Sequence, residues 1–186
     1  MNKTISIIDT GASNLHSVYK AFKFIGVDVE ITKDPLVIEK SNAVVFPGVG
    51  AFGAVMNAVY KNNLQDAIIK SAKSEKPFLG ICVGLQALFE DSEETEGVKG
   101  LGILKGKVVK FKKAKTVPHI GWNGKFYFVH SYYVIPEDKS IITSETEYEG
   151  EKFVSSIKKN NLIAVQFHPE KSGEVGLEFL RGFVGL

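Results

Sequence analysis

One cysteine in 186 residues, Cys82, has nothing to pair with, so the chain forms no internal disulfide and carries no paired-cysteine zinc pattern. That usage fits a reducing compartment. Charge of one sign is also missing: 23 Lys and Arg against 21 Asp and Glu leave a formal net charge of +2, mixed along the chain. A balance so even gives no electrostatic footprint for nucleic acid or for an anionic membrane. Long apolar runs are absent, and the N-terminal run at residues 4–9 is too short and too soon interrupted for a leader or a membrane span. The cytoplasm is therefore the expected location. Among the histidines, His16, His119 and His130 show no mutual metal-ligand spacing, so neither a metal nor a cofactor is expected. No repeat, low-complexity tract or linker interrupts the sequence, which predicts one domain over residues 1–186.

With 44% hydrophobic and 24% charged residues, the chain can bury a substantial core. Its first half alternates strand and helix. Residues 4–9 form a β-rich run, followed by the turn Gly11-Ala12-Ser13-Asn14. Leu15, Val18, Tyr19, Phe22 and Ile25 then recur at helical spacing until Gly26. Val27, Val29 and Ile31 alternate as a second strand, and residues 43–46 form a third, closed by Pro47-Gly48-Val49-Gly50. Two helical segments with a break near Asn62-Asn63 lead to a fourth strand at 78–81. The second half holds strands at 108–111, 125–134, 140–143, 153–157 and 162–167, with a last helix over 175–184. The pattern predicts an α/β fold: an open, mostly parallel sheet flanked by helices, with an antiparallel extension. The densest basic run, Lys105, Lys107, Lys110, Lys112, Lys113 and Lys115, reads as a solvated strand face, with a docking surface as the lesser alternative.

Cys82 sits where an apolar run, Pro77-Phe78-Leu79-Gly80-Ile81, stops abruptly and Leu85, Leu88 and Phe89 begin an amphipathic stretch. Strand, sharp turn and helix describe a nucleophile elbow with sulfur in place of a hydroxyl. Gly80 and Gly84 flank it because a side chain at either position would obstruct the helix folding back on the strand. A helix N-terminus would favour the thiolate. By itself, Gly80-Ile81-Cys82-Val83-Gly84 fits equally well a lone buried cysteine acting as a small hydrophobe.

A cysteine nucleophile needs a base, and the base needs an orienting group. His168-Pro169-Glu170, at the end of the strand carrying Gln166 and Phe167, offers both. Pro169 keeps His168 extended, and Glu170 can return to the far ring nitrogen. Val83 would offer its backbone N–H to an oxyanion, and Val49 or Gly50 a second. The glycines of that segment, Gly48 among them, let the main chain approach a substrate closely. In open α/β sheets, ligands bind beyond the carboxyl ends of the strands, where Cys82 and the Pro47–Gly50 segment both fall.

The segment from Gly80 to Gln86, together with His168-Pro169-Glu170, resembles the class I (triad-type) glutamine amidotransferases, whose sheet is flavodoxin-like. Three further stretches are similar to the branch formed by glutaminase subunits of imidazole glycerol phosphate synthases: Phe46 to Gly53, Pro118 to Asn123 and Phe128 to Tyr132. Gln166 to Ser172 adds a fourth, and the similarity runs essentially end to end. The resemblance implies that Cys82, His168 and Glu170 are catalytic and that L-glutamine is hydrolysed through a cysteine thioester. It implies that Gln86 and Glu94 hold the substrate, with the main chain around Ser131 and Tyr132 receiving its amino-acid end. It further implies a heterodimer with a (β/α)8-barrel cyclase, which takes up the ammonia in L-histidine biosynthesis, with Asn14, Trp122 and Lys171 facing it. Read from the residues alone, Trp122 fits core packing equally well.

One region departs from the family pattern. Lys125-Phe126-Tyr127-Phe128 follows Trp122-Asn123 almost at once, where the family carries a longer hairpin or loop. That leaves open a related glutaminase feeding a surface-polysaccharide amidation enzyme. A cysteine peptidase or small-molecule hydrolase would act without a partner and without preference for glutamine. A non-catalytic binding subunit would have a damaged triad, whereas Cys82, His168 and Glu170 are all present.

Overall fold

The computed structural model describes residues 4–11 and 15–185. Strand β1 (Ile5–Ile8) pairs in parallel with β2 (Val29–Thr32) on one side and with β3 (Ala43–Gly48) on the other. Beyond β3 lie β4 (Phe78–Cys82) and β12 (Leu162–Val165), again parallel. Strands β11 (Glu151–Lys159) and β10 (Ile142–Tyr148) then extend the sheet antiparallel. The order is β10-β11-β12-β4-β3-β1-β2, the mostly parallel sheet with antiparallel extension that the sequence predicts.

Every residue of β1, β3 and β4 is buried, as expected of parallel strands covered on both faces. The flanking helices bury one stripe each: Val18, Ala21 and Phe22 of α1 (Leu15–Phe24), and Val55, Met56 and Val59 of α3 (Phe52–Lys61). Helix α4 (Gln65–Lys73) follows the break at Asn62-Asn63, and α6 (Gly173–Val184) closes the chain. A six-residue helix, α2 (Pro35–Lys40), lies outside the periodicity read above. Its signal was the start and not the pattern: the Asp34 side chain accepts the Leu36 N–H, with Pro35 in the first turn.

Several expected boundaries move: the second strand begins at Val29, the strand before His168 ends at Val165, and the one expected at 140–143 runs over Ile142–Tyr148. The third strand does not stop at Phe46 but runs to Gly48, with Pro47 opposite Ile81 and Gly48 opposite Cys82. A proline is tolerated there because pairing with β1 ends at Val45, leaving β3 a single neighbour. The single strand expected over 125–134 is two. Strand β8 (Phe126–His130) pairs with β7 (His119–Asn123) through a two-residue turn at Gly124-Lys125. Strand β9 (Tyr132–Pro136) joins β6 (Gly106–Lys110) and β5 (Asp91–Ser92). Across the break, the His130 ring donates from Nδ1 to the Tyr132 carbonyl at 2.9 Å.

The basic run is a strand and loop with exposed Lys107 and Lys110. After β6 the N–H groups of Lys112, Lys113 and Ala114 all donate to the Glu151 carboxylate. Burial opposes the charge on Glu151, but these donors and the Tyr133 hydroxyl hold its carboxyl below the usual glutamate range.

Candidate active site

The sheet register places the site. Gly48 pairs with Cys82 and Val165 with Ile81, so the carboxyl ends of β3, β4 and β12 lie side by side. Cys82 occupies a left-handed conformation, φ 55° and ψ −109°, that a side-chain-bearing residue adopts only under strain. The helix after it, α5 (Val83–Gln86), is a single turn and not the longer amphipathic helix expected. Leu85, Leu88 and Phe89 are completely buried, which is why their spacing resembled one helical face. One turn sums few peptide dipoles, so the electrostatic support expected for a thiolate falls chiefly to side chains.

The elbow is tight enough to dictate glycine. A Cβ on Gly84 would lie 1.8 Å from the Phe46 carbonyl oxygen, and one on Gly48 2.8 Å from Val83 Cβ. Gly84→Ala is therefore expected to destabilise the fold by about 3 kcal/mol or more, because the obstruction is backbone and cannot rotate away. Gly182→Ala is the control: its Cβ meets nothing within 4 Å on an exposed stretch of α6. It should add about 0.5–1 kcal/mol by removing a helix-interior glycine. Urea unfolding of the two variants checks both signs.

His168 follows β12 by three residues and is extended, φ −103° and ψ 95°, ahead of Pro169. Its Nδ1 lies 2.8 Å from Glu170 Oε1, and both side chains are buried. Because the carboxylate accepts at Nδ1, it is Nε2 that is left for chemistry, and Nε2 is buried with no hydrogen-bond partner. Burial works against protonation of the ring, but the neighbouring Cys82 sulfur and the Glu170 carboxylate outweigh it and push His168 up to about 10. The sulfur itself lies 3.8 Å from the Val129 carbonyl and accepts from Gln166 Nε2 at 3.5 Å. The thiol is thus an electrostatic neighbour of the imidazole, resting against Val129 and Gln166. The backbone of His168 is fixed by its N–H to the Tyr127 carbonyl at 2.9 Å and by Ser172 Oγ on its own carbonyl at 2.6 Å.

A cleft of about 280 Å³ opens beside the sulfur, lined by Val49, Gly50, Cys82, Val83, Gln86, Glu94, Val129, His130, Ser131, Tyr132 and Lys171. Gly48, His168 and Glu170 are packed together next to it without room for a water molecule, with Val49 common to both groups. Cys82, Val83 and the Val49-Gly50 segment thus line the cleft, while His168 and Glu170 lie beside the adjoining Gly48 and Val49. The profile of the family described as "Glutamine amidotransferase class-I" matches residues 6–184. A chain from Pyrococcus furiosus, "Imidazole glycerol phosphate synthase subunit HisH", is 48% identical over 96% of this chain and 97% of its own. The chain belongs to the HisH family of class-I glutamine amidotransferases.

Another relative, "Imidazole glycerol phosphate synthase hisHF" from Schizosaccharomyces pombe, is 43% identical over 97% of this chain, which covers 38% of that longer polypeptide. A solved structure, "Structure of PurLQS from Thermotoga maritima", superposes with a TM-score of 0.73 at 16% identity, covering 100% of this chain and 99% of that one. At that identity the likeness speaks for the amidotransferase fold alone.

Other residues singled out in this amidotransferase fall as follows. Gln86 is buried at the cleft, its Nε2 donating to the Tyr132 carbonyl at 3.0 Å and to Gln166 Oε1 at 3.2 Å. Glu94 also lines the cleft and has a second task, accepting the Phe52 N–H at the start of α3 at 2.7 Å. Ser131 and Tyr132 lie at the break between β8 and β9. Trp122 is 61% exposed, which overturns core packing: it projects from the β7–β8 hairpin, edge-on to Tyr127 at 6.3 Å. Lys171 is exposed at the cleft, with its Nζ 5.7 Å from the Tyr127 ring centre. Asn14 lies outside the described residues. Cys82 is only 3% exposed, its thiol almost fully packed.

Sequence reasoning missed the contact of Gln166 with the Cys82 sulfur and the pairing of His119 with His130. Gln166 is completely buried directly before Phe167-His168, and a glutamine inside an otherwise apolar strand run was the available signal. The two histidines are eleven apart and directly opposite on the hairpin, a proximity that chain spacing does not reveal. Among the described residues, no three His, Cys, Asp or Glu side chains gather as a metal site.

Proposed function

We propose that this chain is the glutaminase subunit of an imidazole glycerol phosphate synthase. It would release ammonia from L-glutamine for a (β/α)8-barrel cyclase in L-histidine biosynthesis, residues 1–186 acting as one amidotransferase domain. The observation that carries the reading is the strained Cys82 at a strand end opposite Gly48, beside an imidazole bonded to Glu170 at 2.8 Å. In the mechanism, the Cys82 proton passes to His168 Nε2 as Sγ attacks the carboxamide carbon, and the oxygen takes up negative charge facing the N–H of Val83 and of Val49 or Gly50. His168 gives its Nε2 proton to the amide nitrogen, and ammonia leaves. Water, deprotonated at the same nitrogen, then cleaves the thioester, giving glutamate and the free thiol.

Gln86, Glu94 and the main chain at Ser131 and Tyr132 would hold the amino-acid end of the substrate. The fused Schizosaccharomyces pombe relative supports a second module, because this chain's counterpart is a minor part of that polypeptide. The exposed Ile120 and Trp122 of the β7–β8 hairpin, with Lys171 beside them, offer that partner a surface. No described helix is long and apolar enough to cross a membrane. The proposed heterodimer is cytoplasmic.

The test is glutamate release by the chain alone, with the cyclase, and with the cyclase plus that enzyme's acceptor substrate. Glutaminase activity should rise about 100-fold in the complete mixture, a coupling of ordinary size between two sites. Full activity in the chain alone would remove the coupling. Stimulation only by an amidating enzyme of surface-sugar synthesis would assign the chain to that pathway.

A further inference from the structure

Five side-chain and backbone groups behind the cleft form one continuous hydrogen-bond chain, and its polarity can be assigned. The Tyr132 carbonyl has no hydrogen to give, so His130, at 2.9 Å, must carry its proton on Nδ1. The His130 ring is buried against Phe153 and Phe111, with centres 4.8 and 5.2 Å apart. Burial there pushes it down to about 3, with His119 and His168 adding to the effect and the Tyr132 carbonyl resisting it. A neutral ring protonated on Nδ1 can only accept at Nε2. His119 Nδ1, 3.3 Å from that nitrogen, must therefore be the donor. His119 is itself kept neutral by burial, stacked between Tyr148 at 3.9 Å and Phe128 at 5.0 Å.

The same logic fixes Gln86, whose amide ends are otherwise interchangeable. Facing the Tyr132 carbonyl at 3.0 Å, Gln86 must present its NH2 group, and the second hydrogen goes to Gln166 Oε1 at 3.2 Å. Both Gln86 hydrogens are then committed, and the group left for the cleft is the oxygen, an acceptor. Gln166, held by its own oxygen, turns its NH2 toward Cys82 Sγ. A Tyr132 carbonyl free to rotate would release this orientation. Two donors on that one oxygen, His130 and Gln86, leave it no freedom.

We infer that His119 and His130 are positioning residues: through the Tyr132 carbonyl they lock the Gln86 carboxamide with its oxygen toward the cleft, where it accepts an N–H of the substrate. This rests on the glutaminase reading above. Glutamine supplies such N–H groups at its ammonium and its amide. An acceptor fixed before the substrate arrives favours ground state and transition state alike, so its loss acts on KM.

The experiment separates the network from the reaction. Asparagine places a donor where His Nδ1 stands, and glutamine places one where Nε2 stands. In the complex with the cyclase, His130→Asn should keep KM for glutamine within about threefold of wild type. His130→Gln and His130→Ala should raise it about tenfold or more, with kcat changing less than about threefold. His119→Ala, one bond further from the cleft, should raise KM about threefold, and His119→Asn should restore it. Independently of any substrate, the ring nitrogens of the whole chain, read by long-range ¹⁵N–¹H correlation, should show the Nδ1–H tautomer for His130 and His119. The Nε2–H tautomer on either ring overturns the network. The predicted tautomers with His130→Gln as good as His130→Asn, or with kcat reduced at unchanged KM, overturn the positioning role. If the wild-type complex hydrolyses no glutamine although both tautomers are as assigned, the glutaminase reading is at fault and not the hydrogen-bond chain.

Discussion

Cys82→Ala is expected to lower glutamine hydrolysis by the complex by about 10⁴-fold or more, the scale seen when a nucleophile is removed from a triad. Stability should change by about 1 kcal/mol or less. The two expectations belong together. Sγ contributes little to the fold, because its contacts are long ones to Val129 and Gln166 at 3.8 and 3.5 Å. Alanine retains Cβ and with it the strain of φ 55°. Cys82→Gly supplies the complementary measurement: it loses the same activity and relieves that strain, so it should be more stable than Cys82→Ala by about 1 kcal/mol. Glutamate release and urea midpoints for both variants check this. Turnover retained by either variant takes the sulfur out of the mechanism. Alanine matching glycine in stability would mean that the elbow is not strained.

What the sequence made legible was the set of strand ends. Abrupt stops after Ile81 and Phe167, each followed by a residue capable of chemistry, were enough to put Cys82 and His168 on one edge of the sheet, and the register confirms that edge. Local patterns failed where a residue's environment is built from distant chain. Leu85, Leu88 and Phe89 carry helical spacing because the core lies on every side of them, so periodicity alone counted a four-residue turn as a longer helix. Trp122 is exposed on the β7–β8 hairpin, a two-stranded sheet that does not pair with the main one. Nothing in its neighbours along the chain distinguishes that from a buried tryptophan. Strands 126–130 and 132–136 read as one because both are apolar and aromatic. The break at Ser131 depends on pairing with β7 on one side and β6 on the other, which no local signal encodes.

The same hairpin ties the exposed surface to the site behind it. Tyr127 accepts the His168 N–H through its carbonyl and gives its own N–H to Ser172 Oγ, which in turn holds the His168 carbonyl. In the same hairpin His119 pairs with His130, whose Nδ1 donates to the Tyr132 carbonyl that Gln86 also bonds. A displacement of β7–β8 by a docked protein would therefore act on the base and on the cleft wall together. That is a physical reason to measure KM and kcat in the complex and not in the chain alone.

His168→Ala is expected to reduce turnover by about 10⁴-fold or more and Glu170→Gln to be roughly 10–100-fold less severe than that, since loss of the orienting group leaves the base in place. The pH dependence distinguishes orientation from mere structural support. His168 is raised from 6.5 to about 10 in the folded chain, against the cost of burial, by Cys82 and Glu170 together. The stabilisation it contributes is thus complete below about pH 6.5 and is lost as the pH rises through about 10. The imidazolium that protonates the departing amide nitrogen likewise persists over that interval. Removing the Glu170 charge takes away part of what holds the ring protonated, so Glu170→Gln should shift the alkaline limb of kcat/KM toward neutral pH. The position of that limb in wild type and variant is the deciding measurement. An unmoved limb, or a loss as complete as that of His168→Ala, would mean that the 2.8 Å contact serves the fold and not the base.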